Sequence, residues 1–171
     1  VMNPGYKIAP VSPGSRQEGM RSGTVNVPAI AGAAEALSEC LSDPRPLEER
    51  AALRDSLESF MQRRYPHCLI AGRGSPRIWT TSYICFPGLL QDDLVRGLSE
   101  RGICVGKGAA CAGSLSGSRV LKSMGIQDHY NQGAIRFSFS RLSRFSDLEQ
   151  LFGRFPEAYA EAMAKSPYAP A

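Results

Sequence analysis

The sequence predicts a small α/β layer, an α+β arrangement of helices on a sheet of three or four strands. Three observations carry this. Apolar residues recur at i, i+3 and i+4 through two long stretches in the first half. Short β-branched and aromatic runs follow, each bounded by glycine or proline turns. Helical and strand-like segments then continue to the C-terminus, in the overall order helix, helix, strand, strand, helix, strand, loop, helix, strand, helix.

The elements read as follows. Residues 1–24 are rich in Gly, Pro and Ser with no period, and read as a loop that must lie against something. Val27, Ile30, Ala34, Leu37 and Leu41 set a helical frame, with Asn26 as N-cap and Pro28 in the first turn. Asp43-Pro44-Arg45-Pro46 stops it. A second helix runs from Leu47 to about Tyr65 on Leu53, Leu57, Phe60, Met61 and Arg64, and Pro66 ends it. Cys68–Ala71 is short and apolar, and 72–76 (GRGSP) is a turn. Ile78–Phe86 reads as a strand closed by Pro87-Gly88. Leu90–Glu100 is an amphipathic helix with Asp92 and Asp93 in its first turn, where carboxylates suit the dipole. Ile103–Val105 reads as a short strand, 106–117 as a small-residue loop, and Arg119–Met124 as a short helix. Ala134–Ser140 alternates as a strand, Phe145 to about Ala164 is a closing helix, and the tail frays.

Composition narrows the function classes. The chain has 171 residues, 43% of them hydrophobic, which suits one packed domain with a piece of another and excludes a disordered chain. The excess of four positive charges forms no basic stripe, which argues against nucleic-acid binding. No apolar run reaches the roughly 18–20 residues that a membrane span needs. There is no leader-like start, and a first residue of Val suggests a trimmed or partial chain. The expected compartment is therefore the reducing cytoplasm. The five cysteines, Cys40, Cys68, Cys85, Cys104 and Cys111, contain no C-x-x-C pair, and His67 and His129 stand apart, so no metal site is expected. Most of these thiols should be core fillers, with Cys85 and Cys104 packed in strands.

Three features carry possible chemistry. Cys111 sits among glycines and alanines rather than among Leu and Val, which suits an exposed nucleophile. Lys107 and the helix start near Ser118 offer ways to lower its pKa. The competing reading is a structural thiol in a tight turn. Arg136 lies inside the alternating run AIRFSFS, either on a solvated face or held to clamp an anion, for which its planar fork is suited. Arg21-Ser22-Gly23-Thr24 precedes a helix start, which fits a phosphate site or an ordinary cap.

Taken in order, RQEGMRSGTVNVPAI, a strand ending FPG, RGICVGKGAACAGSLSGSRVLKSMGI and GAIRFSFSR resemble the C-terminal part of the cysteine desulfurases. These are pyridoxal 5'-phosphate enzymes of the class V aminotransferase group, and the likeness runs from about Pro10 to Phe152. The form of the cysteine loop is similar to the NifS/IscS-like branch. The resemblance implies the C-terminal small domain of a fold type I transferase with a short piece of the large domain. Residues 1–26 would be a loop segment of the large-domain and dimer-interface region, 27–165 the small domain, and 166–171 a frayed tail.

It further implies roles. Cys111 matches the residue that takes the substrate sulfur as a persulfide and passes it to an acceptor protein, often for iron–sulfur cluster assembly. Arg136 matches the residue that holds the α-carboxylate of L-cysteine. Thr24 matches the threonine that reaches the cofactor phosphate across a homodimer, with Arg21, Ser22 and Gly23 shaping its loop. The family's Schiff-base lysine motif is not among Lys7, Lys107, Lys122 and Lys165, so this chain alone is expected to be inactive, with the cofactor bound mainly by a missing N-terminal part. The alternatives are a selenocysteine or cysteine lyase of the same group, and a non-catalytic module that binds partners or carries a persulfide.

Overall fold

The computed structural model describes residues 9, 10, 12, 14, 21–108 and 117–168. The chain divides into two compact units, residues 1–44 and 45–171.

The first unit is organised by helix α1 (Val27–Leu41). The Asn26 side chain accepts from Ala29 N at 3.1 Å, so the expected cap is formed. None of its residues is buried, and Val27, Ile30, Leu37 and Leu41 are all exposed. Upstream, Ser12 and Arg21 form an isolated parallel bridge, and Ser22 N donates to Ser12 O at 2.9 Å. Gly23 takes a φ of +91°, a conformation open to glycine, and turns the chain just before Thr24.

The second unit contains α2 (Leu47–Arg64), β1 (Leu69–Ile70), β2 (Thr81–Cys85), α3 (Gln91–Glu100), α4 (Arg119–Ser123), α5 (Asp128–Asn131), β3 (Ala134–Ser138) and α6 (Phe145–Lys165). The strands form one antiparallel sheet in the order β1-β2-β3. The register sets Ile84 opposite Ile135, Tyr83 opposite Arg136, and Cys85 opposite Ala134. Residues paired this way point to the same side of the sheet.

The two faces differ in kind. Ile84, Ile135 and Phe137 join the main core with Leu53, Leu57 and Met61 of α2, Leu94 and Leu98 of α3, and Phe155 and Ala158 of α6. Each fully buried Leu, Ile or Phe contributes roughly 1.5–3 kcal/mol relative to exposure. Helices α3 and α6 pack against each other with Gly97 facing Ala158, where even an added Cβ would make only ordinary contact at 3.5 Å. The other face carries a smaller cluster of Cys85, Ala134 and Leu121, with Tyr83, Ile126 and Tyr130 against it. Beyond that cluster this face opens at Arg136 and Ser138, which are exposed.

Some local expectations change. Ile103–Val105 is not a regular strand; one isolated antiparallel bridge, Gly106 with Arg136, takes its place beside β3. The strand expected over Ile78–Phe86 shortens to β2 because Ile78 is exposed and Arg54 Nη1 donates to its carbonyl at 3.0 Å. Helix α5 has only four residues, too few to show a period in the sequence.

The thiols sort by burial. Burial pushes Cys68 up to about 11 and Cys85 up to about 12. Cys40 and Cys104 are exposed, which corrects the reading of Cys104 as a packed strand residue. In the native protein near neutral pH, a maleimide is expected to modify Cys40 and Cys104 and to leave Cys68 and Cys85 untouched until denaturant is added. Rapid native labelling of Cys85, read by peptide mass, contradicts this burial.

Candidate functional site

Strand β3 alternates because Ile135 and Phe137 must enter the main core, so Arg136 between them is turned to the other face. Its backbone is held on both sides, opposite Tyr83 in β2 and by a reciprocal pair with Gly106, where Arg136 N donates to Gly106 O at 2.8 Å and Gly106 N to Arg136 O at 2.9 Å. The side chain is exposed, and no described residue forms an ion pair or hydrogen bond with the guanidinium. It lies over the Gly106 backbone. A Cβ at Gly106 would come within 3.1 Å of Nη2 and 3.2 Å of Nε, so glycine there leaves the fork its place. Arg136 is thus a rigidly based cation with its donors unused among the described residues.

Tyr83 lies beside it on the same face and is half-buried. Its Oη is shielded from solvent and has no hydrogen-bond partner among the described residues. A Cβ at Gly108 would sit 2.7 Å from that oxygen and 3.2 Å from Ser118 Cβ. Burial pushes the Tyr83 phenol pKa up, while the nearby Ser118 hydroxyl and the Arg136 charge pull against it.

Residues 109–116 lie between Gly108 and Gly117 in the sequence, and Ser118, just beyond them, is fixed. Asn131 is 1% exposed; its Oδ1 accepts from Ser118 N at 2.7 Å and its Nδ2 donates to Ser118 O at 3.0 Å. Ser118 Oγ in turn accepts from Leu121 N at 3.5 Å and starts α4.

The sequence-derived candidates fall as follows. Arg136 lies on the open face just described. Cys111 lies outside the described residues. Thr24 is exposed in the first unit, two residues before the Asn26 cap, and that cap already satisfies one N–H of the helix start. Lys107, expected to help activate Cys111, is ion-paired with Asp92 at 2.6 Å. The five-residue α4 offers little dipole. Tyr83 and Asn131 were missed. The alternation in TSYIC marks Tyr83 as facing away from Ile84, but only the register places it opposite Arg136. No sequence signal singles out Asn131.

Comparison with known proteins gives the family of the chain. The family model for aminotransferase class V matches residues 11–151. The chain belongs to the class V aminotransferases. Within that family it is similar to a cysteine desulfurase of Trichormus azollae, 32% identical over 167 residues, covering 96% of this chain and 42% of the relative. It is similarly related to a cysteine desulfurase of Cereibacter sphaeroides, 32% identical, with 96% and 42% covered. Among solved structures, a NifS-like protein of Rickettsia africae superposes with a TM-score of 0.74 at 30% identity, covering 91% of this chain and 41% of that one. A second NifS-like protein gives 0.78 at 27% identity, with 93% and 41% covered. The chain thus spans about two fifths of the length of the curated relatives it matches. The mixed helix-and-strand fold is that of the class V enzymes.

Pyridoxal phosphate is implied by the family, and the donor set tests whether it fits here. A covalently held pyridoxal needs a lysine in a pocket. Among the described residues, Lys107 is paired with Asp92, while Lys122 and Lys165 lie exposed on α4 and α6. The described residues do not fit covalent anchoring of the cofactor. Also among the described residues, no His/Cys/Asp/Glu cluster could hold a metal ion, and no helix is long and apolar enough to cross a membrane.

Proposed function

We propose that this chain is the sulfur-accepting, substrate-orienting portion of a cysteine desulfurase, and that residues 27–165 form its C-terminal small domain. The supporting observation is Arg136: an arginine on a strand of the sheet, its base fixed by two neighbours, its fork free toward the open face. Such a group suits one carboxylate, taken in two parallel hydrogen bonds. In this reading Arg136 holds the α-carboxylate of L-cysteine and so orients its sulfur. The Cys111 thiolate bonds to that sulfur as the sulfur–carbon bond breaks. The bonding pair stays with the carbon fragment, which takes up a proton and leaves as alanine. The enzyme keeps the sulfur as a Cys111 persulfide and passes it to an acceptor protein.

The same proposal makes Thr24 a contact for the cofactor phosphate across a homodimer working in the cytoplasm. Its exposed hydroxyl after the Gly23 turn suits that contact. The 171-residue chain by itself does not turn over cysteine, because its described lysines are unsuited to hold the cofactor.

Arg136→Ala in the cofactor-loaded enzyme tests the assignment. Loss of a charge partner for a desolvated carboxylate is expected to raise KM for L-cysteine by about 30-fold or more. Arg136→Lys keeps the charge but loses the fork, and should fall between. An unchanged KM in the alanine variant places Arg136 on a merely solvated face.

A further inference from the structure

Tyr83 presents a different problem from Arg136. A hydroxyl closed off from solvent without a partner is unfavourable, because it gives up its hydrogen bonds to water and gains none. Ser118 is adjacent, but its influence on the phenol is that of a donor, while its Oγ accepts from Leu121 N at 3.5 Å, so the phenolic hydrogen itself is left without an acceptor. Tyr83 and Arg136 are directly paired across β2 and β3, and their polar ends fill the space left open by Gly108 and Gly106, two residues apart in the chain. Both ends offer hydrogens, and no described residue supplies an acceptor to either. Two unmet donors on one patch call for an anion with more than one oxygen.

We propose that the Tyr83 hydroxyl is a second donor to the substrate carboxylate, beside the Arg136 fork, so that the two strands read one carboxylate together. This rests on the reading of Arg136 as the carboxylate residue, and adds to it a neutral, directional contact that selects α-carboxylates over other anions or none. A carboxylate has about four acceptor positions, so it can take both guanidinium hydrogens and the phenol. Gly108 is part of the device: a side chain there would strike the phenolic oxygen.

The test uses the cofactor-loaded enzyme and two amines without sulfur, so that binding is read apart from turnover. L-alanine carries the carboxylate and ethylamine lacks it; binding of each is followed by the change in cofactor absorbance. Tyr83→Phe is expected to weaken L-alanine by roughly ten-fold, the effect of one hydrogen bond to a charged group. It should leave ethylamine unchanged. The melting temperature should not fall, because the variant removes an unpartnered hydroxyl and keeps the ring. Equal weakening of both amines, or unchanged L-alanine binding with a lowered melting temperature, overturns the proposal and makes the hydroxyl structural. Arg136→Ala, measured alongside, separates the two readings. If it weakens L-alanine while Tyr83→Phe does not, only the tyrosine inference fails; if neither does, the carboxylate reading fails as well.

Discussion

Glu58→Ala is expected to lower the stability of the protein by about 3–5 kcal/mol, the effect of removing one member of a buried ion pair. Glu58 lies on α2 and is 5% exposed. Its Oε1 accepts from Arg77 Nη1 at 2.8 Å and from Ser82 Oγ at 2.7 Å, and Oε2 accepts from Arg77 Nη2 at 3.0 Å. One carboxylate therefore ties helix α2 to the segment before β2 and to β2 itself. Truncation leaves a shielded guanidinium and a fully buried hydroxyl without their acceptor, in a protein whose whole stability is on the order of 5–15 kcal/mol. Removing Arg77 as well, in Glu58→Leu with Arg77→Met, should recover much of the loss. The pH dependence has a definite sign. Burial pushes the Glu58 carboxyl up, but the hydrogen bonds from Arg77 and Ser82 and the charges of Arg77 and Arg54 outweigh it and hold its pKa below the ordinary value. A carboxyl held low in the folded state stabilises above its unfolded pKa, about 4.3, and loses that contribution as pH falls through the folded pKa. Urea titrations should show the wild type losing stability below about pH 4.3 more steeply than the alanine variant. A loss under about 1 kcal/mol at neutral pH would show that Arg77 and Ser82 find other partners.

That cluster also marks how far the sequence could be read. The helices were legible because burial imposes a period: Leu53, Leu57 and Met61 face the main core at the spacing the sequence shows. The caps and stops at Asn26 and Pro66 are local chemistry, written in adjacent residues. Arg136 was legible as an anomaly, a charge inside an apolar alternation, but not as a decision between a solvated face and a clamp. That decision depends on which strand lies opposite, and a pairing register is a relation between residues 53 positions apart, Tyr83 and Arg136. The same holds for Glu58 with Arg77, and for Asn131 with Ser118: each reads as an ordinary polar residue until its partner is known. Ile103–Val105 fails in the opposite direction. Its apolar residues suggest a strand, but only Gly106 pairs with β3. The ion pair of Lys107 was hidden for a related reason, since its partner Asp92 sits on a different element.

Cys111→Ser is expected to reduce alanine formation from L-cysteine by roughly a thousandfold or more in the cofactor-loaded enzyme, with cofactor binding intact. The family resemblance assigns the sulfur-accepting role to Cys111, and the other four thiols suit it less well. Cys68 and Cys85 are held protonated by burial, at about 11 and about 12, and are not reached by a substrate. Cys40 lies on α1, outside the glycine-rich segment that carries the resemblance. Cys104 and Cys111 remain, on either side of Gly106 and Gly108 in the sequence. Cys104 precedes the Gly106 bridge, where the backbone is fixed by its reciprocal bonds to Arg136. Cys111 follows it, three residues beyond Gly108 in the sequence. Serine keeps the size of the side chain, but its hydroxyl is hardly ionised at neutral pH and is a poor acceptor for sulfur. After one turnover without acceptor, the wild-type peptide containing residue 111 should be heavier by one sulfur atom, and the variant peptide should not. Cys104→Ser should retain both activity and the added mass. Wild-type turnover in the Cys111 variant, or the extra sulfur appearing on Cys104, transfers the sulfur-accepting role away from Cys111.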